Sequence, residues 1–196
     1  MLDHVFTDAI GALRDAIEGA MLERVNAEER FQNDVLLGDT SWETSYGIPG
    51  EKSTAQIRAD ITLLWSTWAQ SAYRSWLNGI DDPLTDAGER PIIEVGITLR
   101  IQHLSGAPDP QALLSVLPET GSPIGREILA RTSPTTETHY ADDLTVKSHA
   151  IEITYEGNYE LDEAALLDGA TLDQHFAAMG GWIASTLVKI GDLKLQ

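Results

Sequence analysis

Two stretches of strict alternation limit what this chain can fold into. In IIEVGITLRIQHL, Ile93, Val95, Ile97, Leu99 and Ile101 alternate with Glu94, Gly96, Thr98, Arg100 and Gln102. In HAIEITYEGNYEL, from His149 to Leu161, Ile151, Ile153 and Tyr155 share one face in the same way. Successive side chains of a strand point to opposite faces, so a period of two calls for a sheet with one buried and one polar face. Other parts of the chain must cover the buried face.

Helical periodicity at both ends supplies that cover. From Leu2 to about Glu29, Leu2, Phe6, Ile10, Leu13, Ile17, Met21 and Val25 recur at spacings of three and four, which predicts a long amphipathic first helix. Its polar face carries Asp8, Arg14, Asp15, Glu18 and Glu23, as for a helix with core on one side and water on the other. In TLDQHFAAMGGWIASTLVKI, Leu172, Phe176, Met179, Ile183, Leu187 and Ile190 predict a last helix, with Thr171 and Gln174 as a capping box and Gly180–Gly181 weakening its middle.

Between these lie further strands. Asp34 to Ile48 alternates Trp42, Thr44, Tyr46 and Ile48 with small or polar residues and is broken at Gly38; a turn follows over Gly47 to Glu51. Thr54 to Leu77 fits both periods. Its β-branched residues cluster in AQIRADITLLW and its helix formers in AQSAYRSWL, which favours a strand and then a helix ended by Asn78 and Gly79; one continuous helix is the alternative. After the acidic loop Asp81 to Pro91 and the first alternating strand, the Ser105 to Pro134 region carries five of the eight prolines. It reads as a long connection, a Pro-rich insertion at about 105–145, with one short helix at DPQALLSVL behind Asp109 and Pro110. The expected fold is a single α+β domain over residues 1–196: a mainly antiparallel sheet of about four to six strands, flanked by a long N-terminal helix and a C-terminal helix.

Charge and composition exclude several functions. Asp and Glu number 31 against 13 Lys and Arg, a formal charge of -18. Such a surface repels phosphate backbones, and no basic stripe interrupts it, so sequence-specific nucleic-acid binding is not expected. Net charge also serves solubility, and nine arginines against four lysines suit a salt-rich cytoplasm or a GC-rich genome. No apolar run approaches the roughly 20 residues of a membrane span, and the start of the chain has no basic leader, so neither membrane insertion nor secretion is expected. The absence of cysteine removes disulfides, thiol catalysis and thiolate zinc sites.

The familiar catalytic templates fail at the level of residue type. GSPIG, from Gly121 to Gly125, lacks the Lys-Ser/Thr of a phosphate loop; no G-x-S-x-G elbow and no H-E-x-x-H pair occurs. His4, His103, His139, His149 and His175 are scattered. Only His139, Asp142, Asp143 and His149 group closely enough to suggest a two-histidine, one-carboxylate ion site, and Asp81–Asp82 and Asp142–Asp143 read as solvated turns before they read as calcium ligands or an acid–base pair. No catalytic, cofactor-binding or metal-ligating residue is therefore assigned, and no cofactor is expected. Trp42 and Tyr46 on a short strand, and Trp182 after a glycine pair, are the candidate oligomer interface; the loops Gly79 to Arg90 and Gly121 to Asp143 are candidates for contact with neighbours.

At DVLLGDTSWET and ADITLLWSTWAQSAYRSWLNGI the chain resembles the tail-completion, or tail-terminator, proteins of long-tailed phages and archaeal tailed viruses. The shared order is a long N-terminal helix, a strand ending in a leucine-glycine turn (Leu37, Gly38), a strand running into Trp65–Ser66, and a helix from about Ala69, with HAIEITYEGNYEL matching a closing strand. The Pro-rich section and the helix after Thr171 depart from that compact pattern. The resemblance implies a non-enzymatic α/β protomer of the virion, assembled in the host cytoplasm. It would close into a ring, usually six-fold, with itself, the tail tube and the head connector as partners. An acidic lumen would let DNA slide through such a ring; a salt-adapted host accounts for the charge equally well. Two other classes remain open: a cytoplasmic small-ligand-binding α+β domain with an apolar pocket between sheet and C-terminal helix, and a cyclase-like enzyme in which His139, Asp142 and His149 converge. An acidic interaction module, DNA mimics included, completes the set.

Overall fold

A computed structural model describes residues 3–20, 23–24, 30–33, 38–48, 57–79, 90–162, 165 and 167–193. The first helix, α1 (His4–Gly19), buries Val5, Phe6, Ala9, Ile10, Leu13 and Ile17 on the predicted stripe. It ends ten residues earlier than the periodicity to Glu29 suggests. Gly19, a poor helix former, closes it, and the backbone of β1 (Glu23–Arg24) pairs instead with Gly47 and Tyr46. Leu2, Met21 and Val25 lie outside the described residues.

The sheet has nine strands among the described residues, all paired antiparallel. Its centre is β3 (Thr40–Gly47), β4 (Ile57–Trp65), β5 (Ile92–Leu104) and β9 (Val146–Glu160), the four segments that alternation marks. One edge is closed by β1 and β2 (Arg30–Asn33), both on β3. The other is built on β9 by β7 (Glu127–Arg131), which carries β6 (Thr120–Ile124), and by β8 (Thr135–Tyr140). The Pro-rich region is therefore no long connection: it supplies these three strands and the short helix α3 (Pro110–Leu114). The periodicity is silent there because β8 has no apolar face and β6 contains Pro123. What holds them is the free hydrogen-bonding edge of the long strand β9. The α3 helix starts as expected, with Pro110 in its first turn and the Asp109 carboxylate accepting from Gln111 N–H at 2.9 Å.

The segment that fits both periods is strand and then helix. β4 is a central strand hydrogen-bonded to β3 and β5 on its two sides, an arrangement that a helix over the same residues would forfeit. At Ser66 the chain turns into α2 (Thr67–Leu77), where the Ser66 hydroxyl accepts from Ala69 N–H and the Asp39 carboxylate accepts from Thr67 N–H at 2.6 Å. Gly38 sits at φ +78°, and a Cβ there would lie 2.9 Å from the Thr67 hydroxyl. Only glycine lets the start of β3 cross the start of α2 this closely.

α1 and the last helix, α4 (Gly169–Gly191), cover the apolar face. Phe6 stacks on Trp65 with ring centroids 6.2 Å apart, and Trp182 meets Tyr155 edge-on at 5.0 Å. The helices cross at Gly180, where a Cβ would meet Ala16 Cβ at 2.8 Å and the Leu13 carbonyl at 3.0 Å. The cap of α4 differs from the Thr171–Gln174 box: the helix begins two residues earlier, and the Asp168 carboxylate accepts from Ala170 N–H at 3.1 Å. No helix among the described residues is long and apolar enough to cross a membrane.

Candidate functional site

The helices cover only one face of the sheet. The other presents rows of paired polar residues: Arg30, Glu43, Thr62, Gly96 and Glu156 in one, and Ser45, Asp60, Thr98 and Thr154 in the next. Opposite residues of an antiparallel pair share a face, so each row runs straight across the strands. Arg58 faces Arg100. Arg58 pairs with Asp60 at 3.0 Å, and Arg100 is held between Glu137, at 2.8 Å, and Glu152. Two shallow depressions mark the face, one of about 270 Å³ around Glu43, Arg58 and Asp60, and one of about 760 Å³ along Thr62, Thr98, Arg131 and Thr154. Arg58 and Asp60 are paired in the first, and in the second the Arg131 guanidinium donates to the Leu117 carbonyl.

The candidate interface residues are spent on packing. Trp42 and Tyr46 are wholly buried, and the Tyr46 hydroxyl donates to Glu18 at 3.1 Å across to α1. Neither offers side-chain surface to another subunit. Trp182 is partly buried over Tyr155 and β6, where Gly121 leaves room for both rings. GSPIG is thus a strand running into the β6–β7 hairpin, with Gly125 at φ +63° in the turn.

His4, His139, His149 and His175 each take a different neighbour. The register pairs Thr138 with His149 and His139 with Ser148, so His139 and His149 point to opposite faces of the β8–β9 ladder. His149 bonds Thr138 and His139 lies 3.4 Å from Glu137. Asp143 closes the turn: its carboxylate accepts from the Thr145 hydroxyl at 2.6 Å and from Thr145 N–H at 3.0 Å, which holds its pKa below the usual value. No cluster of metal-ligating side chains occurs among the described residues, and Asp81–Asp82 lie outside them. His4 meets the Tyr73 hydroxyl at 2.9 Å and His175 the Tyr159 hydroxyl at 3.0 Å. Burial, helped by Asp3 and Asp8, pushes Tyr73 up to about 12; burial, with Asp162, raises Tyr159 further. Both phenols stay protonated and fix helices to their neighbours. Asp3 likewise accepts from the Trp65 indole at 3.0 Å and pairs with Arg74 at 3.1 Å.

No family model, curated protein or solved structure matches this chain.

Two further features stand out on the surface of the described residues. Beyond His149, β9 leaves β5 and pairs with β8 alone, forming an arm that turns over at Asp142–Thr145. Tyr140 and Val146 are partners across it, 60% and 52% exposed, and Leu144 at its apex is 80% exposed. Leu144 has φ +63°, a conformation that turns of this kind usually give to glycine or asparagine. The second feature is an apolar notch of about 270 Å³ between the sheet and the C-terminal end of α4, lined by Ile48, Ile57, Val188, Gly191 and Asp192. Alternation reveals neither, since the arm has no buried face and the notch joins residues far apart in sequence. The one legible sign was a branched apolar residue in the turn sequence ADDLT.

Proposed function

We propose that this chain is a structural protomer of a tailed virus, a ring-forming tail terminator or neck protein that joins a tail tube to a head connector. The observation that carries this reading is the division of labour in the fold. Histidines, buried tyrosines and most described ion pairs serve to fix one element to another, while the features left over are surfaces: an uncovered polar sheet face, a projecting arm and a notch. That is the inventory of a building block, whereas a catalytic site gathers perturbed groups around a cleft. The order of α1, β3, β4 running into Ser66, and α2 also agrees with the order of elements on which the resemblance rests. The cyclase-like alternative called for His139, Asp142 and His149 in one cleft, and the β8–β9 register disfavours it. The ligand-binding alternative called for an apolar pocket between sheet and C-terminal helix, and among the described residues large side chains such as Trp42, Trp65, Tyr155 and Phe176 pack that space and leave the open notch at its end.

Light scattering on the purified protein, from dilute buffer to molar potassium chloride, tests the proposal together with negative-stain microscopy. A discrete oligomer that forms as salt screens the acidic surface, seen as a ring with a central opening, is expected. A monomer at every salt concentration, in the presence and absence of tail tubes, would sink it.

A further inference from the structure

The arm and the notch are complementary in form and in charge. The arm ends in exposed Leu144, with Tyr140 and Val146 behind it; the notch is a concavity walled by Ile48, Ile57 and the half-exposed Val188. A cavity of about 150 Å³ already accommodates a benzene ring, so the notch is large enough for a branched or aromatic side chain. Asp142 and Asp143 directly precede Leu144, and Lys189 follows Val188; Lys147 stands on the arm, and Asp192 lines the notch. In a chain with four lysines against 31 acidic residues, finding one lysine at each of these two places makes the match in sign informative.

The notch and the tip of the arm stand apart in the fold. Ile57 of the notch shares the row Ile57–Ile101–Ile151, two strands away from β9, whereas the arm continues along β9 past His149 and away from that row. From His149 to Leu144 the arm extends for up to about 17 Å at ~3.4 Å per residue. It leads away from its own sheet, so the notch it fits is that of another copy. Leu144 adds an independent observation: a branched side chain in the left-handed region, exposed to water, is unfavourable on both counts within a single chain. Backbone strain of this kind clusters where something outside the local fold uses it.

We infer that Leu144 of one copy inserts into the Ile48–Ile57–Val188 notch of the next, with Asp142 or Asp143 against Lys189. A contact between two different patches is head-to-tail, and when its rotation closes it generates a ring. The inference rests on the proposed ring for its closure but not for the contact itself.

Because the chain has no cysteine, the joint can be trapped with two single variants, Leu144→Cys and Val188→Cys. A disulfide forms only between Cα atoms about 4.4–6.8 Å apart. Under mild oxidation the mixture of the two variants is expected to give a covalent dimer much faster than either alone, and the double variant a ladder of multiples. Leu144→Gly is expected to lose the oligomer while its melting temperature holds or rises. An oligomeric wild type with no mixed disulfide, or a Leu144→Gly variant that keeps its oligomer, overturns the joint and leaves the ring reading standing. A mixed disulfide in which the ladder runs on without closing supports the joint and removes the ring. A monomeric wild type, together with no mixed disulfide from the two variants, overturns both.

Discussion

Gly180 and Gly181 are adjacent in α4 and should respond to alanine in opposite directions. In a helix interior, Gly to Ala stabilises by about 1 kcal/mol, because glycine loses more backbone freedom on folding. At Gly181 nothing lies within 4 Å of an added Cβ, so Gly181→Ala should gain that amount. At Gly180 the new carbon would meet Ala16 Cβ at 2.8 Å, the Leu13 carbonyl at 3.0 Å and Ile17 Cγ1 at 3.3 Å. Two of these belong to a backbone carbonyl and to an alanine that has no rotamer to change, so relief requires α1 and α4 to separate. Forcing extra volume into a packed interior costs roughly 1–3 kcal/mol, and the two variants should differ by that amount. For a domain of this size 1 kcal/mol moves the melting temperature by about 2–4 °C. Gly181→Ala should melt a few degrees above the parent and Gly180→Ala at or below it, by calorimetry or circular dichroism. Equal melting temperatures for the two variants would show that the helices do not cross at Gly180.

Further expectations can be checked on the same material. Asp168→Ala should destabilise by about 1 kcal/mol in a denaturant titration and Thr171→Ala by much less, because the Asp168 carboxylate caps α4; the reverse order would restore the Thr171 box. In the unfolded chain Tyr73 loses its proton near the ordinary tyrosine value, but in the folded chain only near about 12. Its contribution to stability is therefore complete below pH 10 and is lost as pH rises toward 12. Ultraviolet titration should show late-ionising tyrosine, and Tyr73→Phe should flatten the alkaline loss of stability; a Tyr73 that ionises at pH 10 contradicts its burial. Asp3→Ala leaves the Trp65 indole without its acceptor and should cost roughly 1–3 kcal/mol, read from the denaturation midpoint.

Potassium chloride should raise the melting temperature as it screens a net charge of -18. A melting temperature indifferent to salt would mean that the acidic surface carries no cost.

The alternation of Ile93 to Ile101 and of Ile151 to Tyr155 determined the two longest strands, their inward faces and the need for helical cover, because a pleated strand has no other way to bury one side. The stripe from Phe6 to Ile17 and that from Leu172 to Ile190 determined which helices provide it. These patterns are local, and a side chain's period records which face is dry. Trp42 and Tyr46 illustrate the limit of such reading, since an aromatic on a polar strand is equally suited to a core and to an interface. Only the position of β3, beneath α1 and beside β4, makes both of them core. Pairing also settled residues 57–65, whose composition fits either period, because a central strand has two neighbours to satisfy its backbone. The strands β6, β7 and β8 have little pattern of their own and exist because β9 is long enough to offer them an edge. The arm and the notch belong to this last class: each is assembled by strand pairing and helix packing, and no spacing in the sequence could have brought them into view.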